Sequence, residues 1–218
     1  VDYNIPIYTP PDWSTLVERT LTPSTNTSNS YFGSVMAMSG NYVIVGANND
    51  NKAYIYEKNG GVGGWSQVSV LESSHSVNDF GYSVAIDGDY AIVGARTSYS
   101  AIHDSTGSAH IFKQDGSGAW NEEVMLQPTD KLSQTGSYIR FGGSVAIEGD
   151  YVVIGATANS FYKTSGASGF GSAHVYKRDS AGNWNSFDDL IAFNDDSTFT
   201  NRTGGNTTFG ITTAIQGD

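Results

Sequence analysis

Two histidines recur at equivalent places in the chain, His110 in Ala109-His110-Ile111-Phe112 and His174 in Ala173-His174-Val175-Tyr176. A repeated imidazole could begin a metal centre or supply general acid–base chemistry. The first copy of the same segment, Ala53-Tyr54-Ile55-Tyr56, carries a tyrosine there. Tyr54 in place of an imidazole marks a structural, hydrogen-bonding position, so no metal and no cofactor is assigned. His75 and His103 stand in loops with no ligand pattern nearby. The acidic pairs Asp188-Asp189 and Asp195-Asp196 are what a glycosidase or a loose cation site could use, but neighbouring loop acids are ordinarily just solvated. The chain has no cysteine, which removes thiolate catalysis, disulfides and Cys-ligated zinc together. It also lacks a Gly-x-Ser-x-Gly elbow, a P-loop and an HExxH helix. No catalytic residue is assigned, and the expectation is a protein that is not an enzyme.

Binding chemistry is better represented. Segments rich in Ser, Thr, Asn and Gly carry Tyr99, Tyr138, Phe161, Tyr162 and Phe170. Aromatic platforms among hydroxyls and amides make adaptable polar contacts and suit carbohydrate, which makes a lectin-like protein the alternative to a purely structural one. Asn26, Asn201 and Asn206 each open an N-x-[ST] sequon and are candidate glycosylation sites.

The net charge of −11 and pI near 4.5 oppose nucleic acid, whose phosphates need a Lys/Arg footprint that 11 basic residues do not make. They equally oppose anionic lipid. No apolar run reaches membrane-spanning length. Val1 to Tyr8 has neither a basic region nor a signal-like core, so any secretion signal is expected to be absent or already removed. Acidity, missing cysteine and abundant Ser, Thr, Asn and Gly together lean towards the extracellular space or the cell surface. The expected partners are other protein subunits or an extracellular glycan.

These residues are positioned by a repeat. Phe32 to Ala47 reads FGSVMAMSGNYVIVGA, Phe80 to Ala95 FGYSVAIDGDYAIVGA, Phe141 to Ala156 FGGSVAIEGDYVVIGA, and a fourth copy opens at Phe209 as FGITTAIQGD. Each copy reads as a hairpin of two strands, A and B. Asp87-Gly88 and its counterparts Ser39-Gly40, Glu148-Gly149 and Gln216-Gly217 supply a tight type I′ turn. Alternation along strand A puts Phe80, Tyr82, Val84 and Ile86 on one face and Gly81, Ser83 and Ala85 on the other. Neither face is charged, as expected for a sheet stacked between two others. A second hairpin follows. Strand C carries the His/Tyr segments, and strand D opens on Trp65, Trp120 or Trp184 and reaches Leu71, Leu126 or Leu190 six residues later. Four antiparallel strands recurring as a unit predict an all-β fold, a β-propeller of four-stranded blades.

The Phe-Gly…Gly-Ala pattern, with its aromatic strand C and Trp-led strand D, resembles the FG-GAP repeat of integrin α-subunit-like propellers. The resemblance runs from about residue 13 to 218. It implies a propeller with an adhesive, ligand-binding or scaffolding role, and it implies no reaction. Two features depart from that family. The A–B turns lack the Asp-rich DxDxDGxxD loop, so family-style calcium is not carried over. The Pro that often follows Gly-Ala is replaced by Asn48, Arg96 and Thr157. Asp115 to Trp120 and Asp179 to Trp184 resemble the Asp-box of sialidase propellers, but their Gly falls one place late and hairpin-turn chemistry explains them. The scattered Arg19, Arg96, Arg140, Arg178 and Arg202 do not form the arginine cluster that a sialidase needs.

The repeat divides residues 1–218, read as one propeller domain or a fragment of one. Residues 1–31 are strands C and D of a partial blade, 32–79, 80–140 and 141–208 are full blades, and 209–218 is the first strand of another. Three arrangements fit: a fragment of a longer propeller, a closed four-bladed ring with a composite blade, or a homo-oligomer or filament built by strand complementation. The B–C and D–A connections vary most in length, so their shared face is the expected functional one.

Overall fold

The computed structural model describes residues 19–25, 27–59, 64–97, 106–128, 139–157, 171–191 and 210–215. Among them, twelve strands form three four-stranded antiparallel sheets, each in simple sequential order. The first holds β1 (Met36–Ser39), β2 (Tyr42–Ala47), β3 (Lys52–Asn59) and β4 (Gly64–Leu71). The second holds β5 (Phe80–Asp87), β6 (Tyr90–Ala95), β7 (Ser108–Gln114) and β8 (Trp120–Leu126). The third holds β9 (Phe141–Glu148), β10 (Tyr151–Ala156), β11 (Ser172–Arg178) and β12 (Trp184–Ile191). These are the predicted blades.

Two local expectations are corrected. Asp87 pairs with Tyr90, so the turn residues are Gly88-Asp89, one place later than expected. The φ of Gly88 is +54° while Asp89 stays out of the positive-φ region, the sign pattern of type II′, where the leading glycine alone needs that freedom. Alternation along strand A is also interrupted. Phe80 pairs with Ala95 and Ser83 with Gly94, so Gly81 and Tyr82 bulge out. Phe141 and Ser144 repeat this against Ala156 and Gly155. Phe80, Val84 and Ile86 still share a face, because an even insertion preserves the pleat. Tyr82 leaves it and lies under the Arg96 guanidinium, 3.8 Å from the ring centroid.

The bulge explains the Phe-Gly…Gly-Ala spacing. It pushes the carbonyl of Gly142 against Gly94 of the preceding blade, where a Cβ would lie 2.1 Å from that oxygen. Gly81 meets Gly46, and Gly210 meets Gly155, in the same way. The Ser83 hydroxyl donates to Gly142 O at 2.8 Å, and Ser144 repeats the bond to Gly210 O at 2.8 Å. Apolar side chains complete each seam. Ile44, Ile55 and Leu71 of the first blade pack on Phe80, Ile86 and Phe112 of the second, and Ile92, Ile111 and Leu126 pack on Phe141, Ile147 and Tyr176 of the third. Further out, Tyr42 meets Trp120 edge-on at 5.8 Å, and Tyr90 meets Trp184 at 6.0 Å.

Four equivalent repeat segments converge on one axis, although the fourth, expected to be a strand, forms none over the described residues 210–215. Val35 and Met36, Ser83 and Val84, Ser144 and Val145, and Thr212 and Thr213 are equivalent pairs from four successive repeats, and all line one open cavity of about 770 Å³. A two-layer sandwich has no such axis. The sheets therefore stack as propeller blades, without closing a ring among the described residues.

Candidate functional site

The most chemically distinctive arrangement lies on the C and D strands. Ser108 and His110 stand two residues apart on β7, which places both side chains on one face. Ser108 Oγ lies 2.8 Å from His110 Nε2, and Glu122 Oε1 of β8 lies 2.7 Å from His110 Nδ1. The third blade repeats the pattern, with Ser172 Oγ 2.8 Å from His174 Nε2 and Asp189 Oδ1 2.7 Å from His174 Nδ1. A proton on Nδ1 lets each imidazole donate to its carboxylate and accept from its serine.

This is the connectivity of a nucleophile–base–acid triad. Its surroundings deny it that chemistry, because both serines and both histidines are 0% exposed. Phe80 and Phe141 lie against the two imidazoles, with ring centroids 5.2 Å apart in each case. No acyl group can approach such a hydroxyl. What the trio does is satisfy buried polar atoms and tie strand C to strand D. In the first blade Tyr54 takes the place of the imidazole but ties strand C to the segment ahead of β1, donating its hydroxyl to Thr25 O at 2.6 Å. Lys52 stands where the other blades have serine and pairs with Glu72 at 2.8 Å.

Two sequence readings are overturned. Asp189 is not a solvated loop acid; it sits in β12 directly opposite His174. His75 is not isolated either. The loop after β4 carries its ring to 6.4 Å from that of His110, and its Nδ1 lies 3.9 Å from Glu122 Oε1. Ser74 of the same loop donates its backbone N–H to Glu122 Oε2 at 2.6 Å. Burial opposes ionisation of Glu122, but the hydrogen bonds from His110 and Ser74 outweigh it and lower its pKa to about 2.

The paired Ser-x-His in both strands is a signal already present in the sequence. The acids gave none, because Glu122 lies opposite Phe112 whereas Asp189 lies opposite His174. The expected binding residues Tyr99, Tyr138, Phe161, Tyr162 and Phe170, the sequon residues Asn26, Asn201 and Asn206, and also His103, Asp195 and Asp196 lie outside the described residues.

The Asp-box-like turns are self-contained. Asp179 Oδ1 accepts backbone N–H bonds from Ala181 and Asn183, each at 2.9 Å, and Asp115 holds Ser117 and Ala119 likewise. Hydrogen bonding lowers both carboxyl pKa values, led at Asp179 by the Asn183 backbone and at Asp115 by the Ser117 hydroxyl. A depressed folded-state pKa means the contribution is whole above the ordinary carboxylate range and lost as pH falls through the folded value. Amide exchange at Asn183, corrected for intrinsic rate, is expected to accelerate selectively on acidification. Asp179→Asn, which cannot titrate, should abolish that pH dependence. Parallel behaviour of wild type and variant would contradict this role. The A–B reversals Gly40-Asn41, Gly88-Asp89 and Gly149-Asp150 are only two residues long, too short to wrap a calcium ion.

Stacked antiparallel blades with glycine-tight seams and buried polar staples define a β-propeller repeat protein. The FG-GAP repeat model matches residues 16–62, 65–112 and 120–176, more than half of the sequence, and the chain belongs to the FG-GAP repeat family. Such repeats indicate a propeller-like domain of a kind frequent in adhesion and extracellular proteins. The two later matches run from strand D of one blade to strand C of the next, so each spans a seam. No curated protein matches the chain. No helix among the described residues is long and apolar enough to cross a membrane.

Proposed function

We propose that this is a non-enzymatic extracellular propeller protein for adhesion or scaffolding, assembling head to tail with further copies of itself. One observation carries the reading: Leu190 is 47% exposed, whereas its equivalents Leu71 and Leu126 are 1% and 5% exposed under the blade that follows them. Val153 and Val175, on the same outer face of the third blade, are also less buried than Ile92 and Ile111. The opposite end presents the matching surface. Met38 is 69% exposed, whereas its equivalents Ile86 and Ile147 are buried against the blade before them at 6% and 7%. Two unlike faces with exposed apolar side chains favour a heterologous contact that propagates into a ring or filament. The sealed serines of the buried trios support a role without catalysis.

The test is light scattering across a concentration series. Mass is expected to rise with concentration for the wild type and to stay at the monomer for Leu190→Asp and for Met38→Asp. Mixing the two variants should restore only a dimer, since each retains one competent face. A wild type that stays monomeric throughout, or variants that assemble unchanged, would sink the proposal.

A further inference from the structure

We propose that His75, His110 and Glu122 form a transition-metal site, with zinc the best-fitting ion, clamping the first blade to the second. The three residues come from the β4–β5 loop, β7 and β8, and their candidate donor atoms all lie within 4.8 Å of one another. No other such group of three occurs among the described residues.

Geometry and donor chemistry agree. Zinc takes imidazole nitrogen at about 2.0–2.1 Å and carboxylate oxygen at about 2.0–2.2 Å, so tetrahedral donors stand roughly 3.3 Å apart. The 2.7 Å gap between His110 and Glu122 and the 3.9 Å gap between His75 and Glu122 bracket that spacing. His110 is fixed in the core, while the His75 side chain is 53% exposed, with its Nδ1 3.0 Å from the Ser74 hydroxyl. Two imidazoles with one carboxylate select zinc or its neighbours over calcium and magnesium, which prefer all-oxygen shells.

Ligation through Nδ1 requires His110 to give up the tautomer that donates to Glu122 and to carry its proton on Nε2 instead. Ser108 Oγ, 2.8 Å from Nε2, can accept the Nε2 proton, leaving the Nδ1 lone pair directed towards Glu122. In that tautomer a lone pair would face a carboxylate oxygen, an arrangement that only a proton or a cation between them makes favourable. Ser73 Oγ, 3.4 Å from the same Nδ1, lies where a fourth donor or its bound water would sit. The third blade provides an internal comparison, with a serine, an imidazole and an aspartate in place of the glutamate but no second imidazole beside them among the described residues.

The experiment titrates ZnCl2 into the chelator-treated 218-residue chain at pH 7.5 by calorimetry, with CaCl2 as a parallel arm and imidazole ¹⁵N shifts as a second readout. One zinc per chain is expected, with a large Nδ1 shift at His110 and no calcium heat. His75→Ala changes an exposed loop residue, so the fold should persist by circular dichroism while zinc affinity falls at least about tenfold. His103→Ala and Asp189→Asn should bind as the wild type does. Absent zinc binding, undiminished binding by folded His75→Ala, or loss of binding on His103→Ala would each overturn the assignment. Assembly plays no part in the readout, so this result and the self-association result stand independently.

Discussion

Gly94→Ala is expected to cost about 3 kcal/mol, the upper end for an overpacked site, and to loosen the seam between the second and third blades. A methyl at this position would fall 2.1 Å from Gly142 O and 2.2 Å from Ser83 Oγ. The serine could rotate away, but only by giving up its 2.8 Å bond to Gly142 O, and the carbonyl belongs to a backbone bulge whose glycine is itself packed tightly, a Cβ there falling 2.1 Å from Ser108 O. The φ of Gly94 is not in the left-handed region, so the cost comes from close approach and not from lost conformational freedom. Gly88→Ala makes the contrast, because its φ is +54° and nothing lies within 4 Å of its missing Cβ. Strain alone should cost about 1 kcal/mol there. Urea unfolding of both variants checks the pair. Equal, small losses at both positions would show that the glycine seam does not hold the blades together.

His174→Ala should destabilise by about 3 kcal/mol, combining a cavity with two severed hydrogen bonds. The imidazole is fully buried and bonded at both nitrogens, and its removal leaves Asp189 facing a void. Ser172→Ala alone should cost about 1 kcal/mol. Because the serine hydroxyl and the imidazole act as one network, the double variant should cost less than the two losses added, by roughly 0.5 kcal/mol or more. Strict additivity in denaturant melts would show that the trio is a set of independent contacts. The same substitution should leave zinc binding at the other seam untouched, since His174 belongs to a different pair of blades.

The sequence alone determined the architecture. Its phase-locked Phe-Gly and Gly-Ala steps, the recurring short reversals and the tryptophans of strand D recur because each blade faces the same neighbour, and a repeated environment selects repeated residues. The structural, hydrogen-bonding reading of His110 and His174 came from the same comparison with Tyr54. Only the tertiary structure decided which distant groups meet. The Gly81-Tyr82 bulge inserts two residues that leave the alternation pattern readable but change what it means. Glu122 and Asp189 reach equivalent imidazoles from different registers, so no constant spacing announces them. His75 reaches His110 because a loop of one blade folds over the next, a distance set by blade stacking that chain position does not encode.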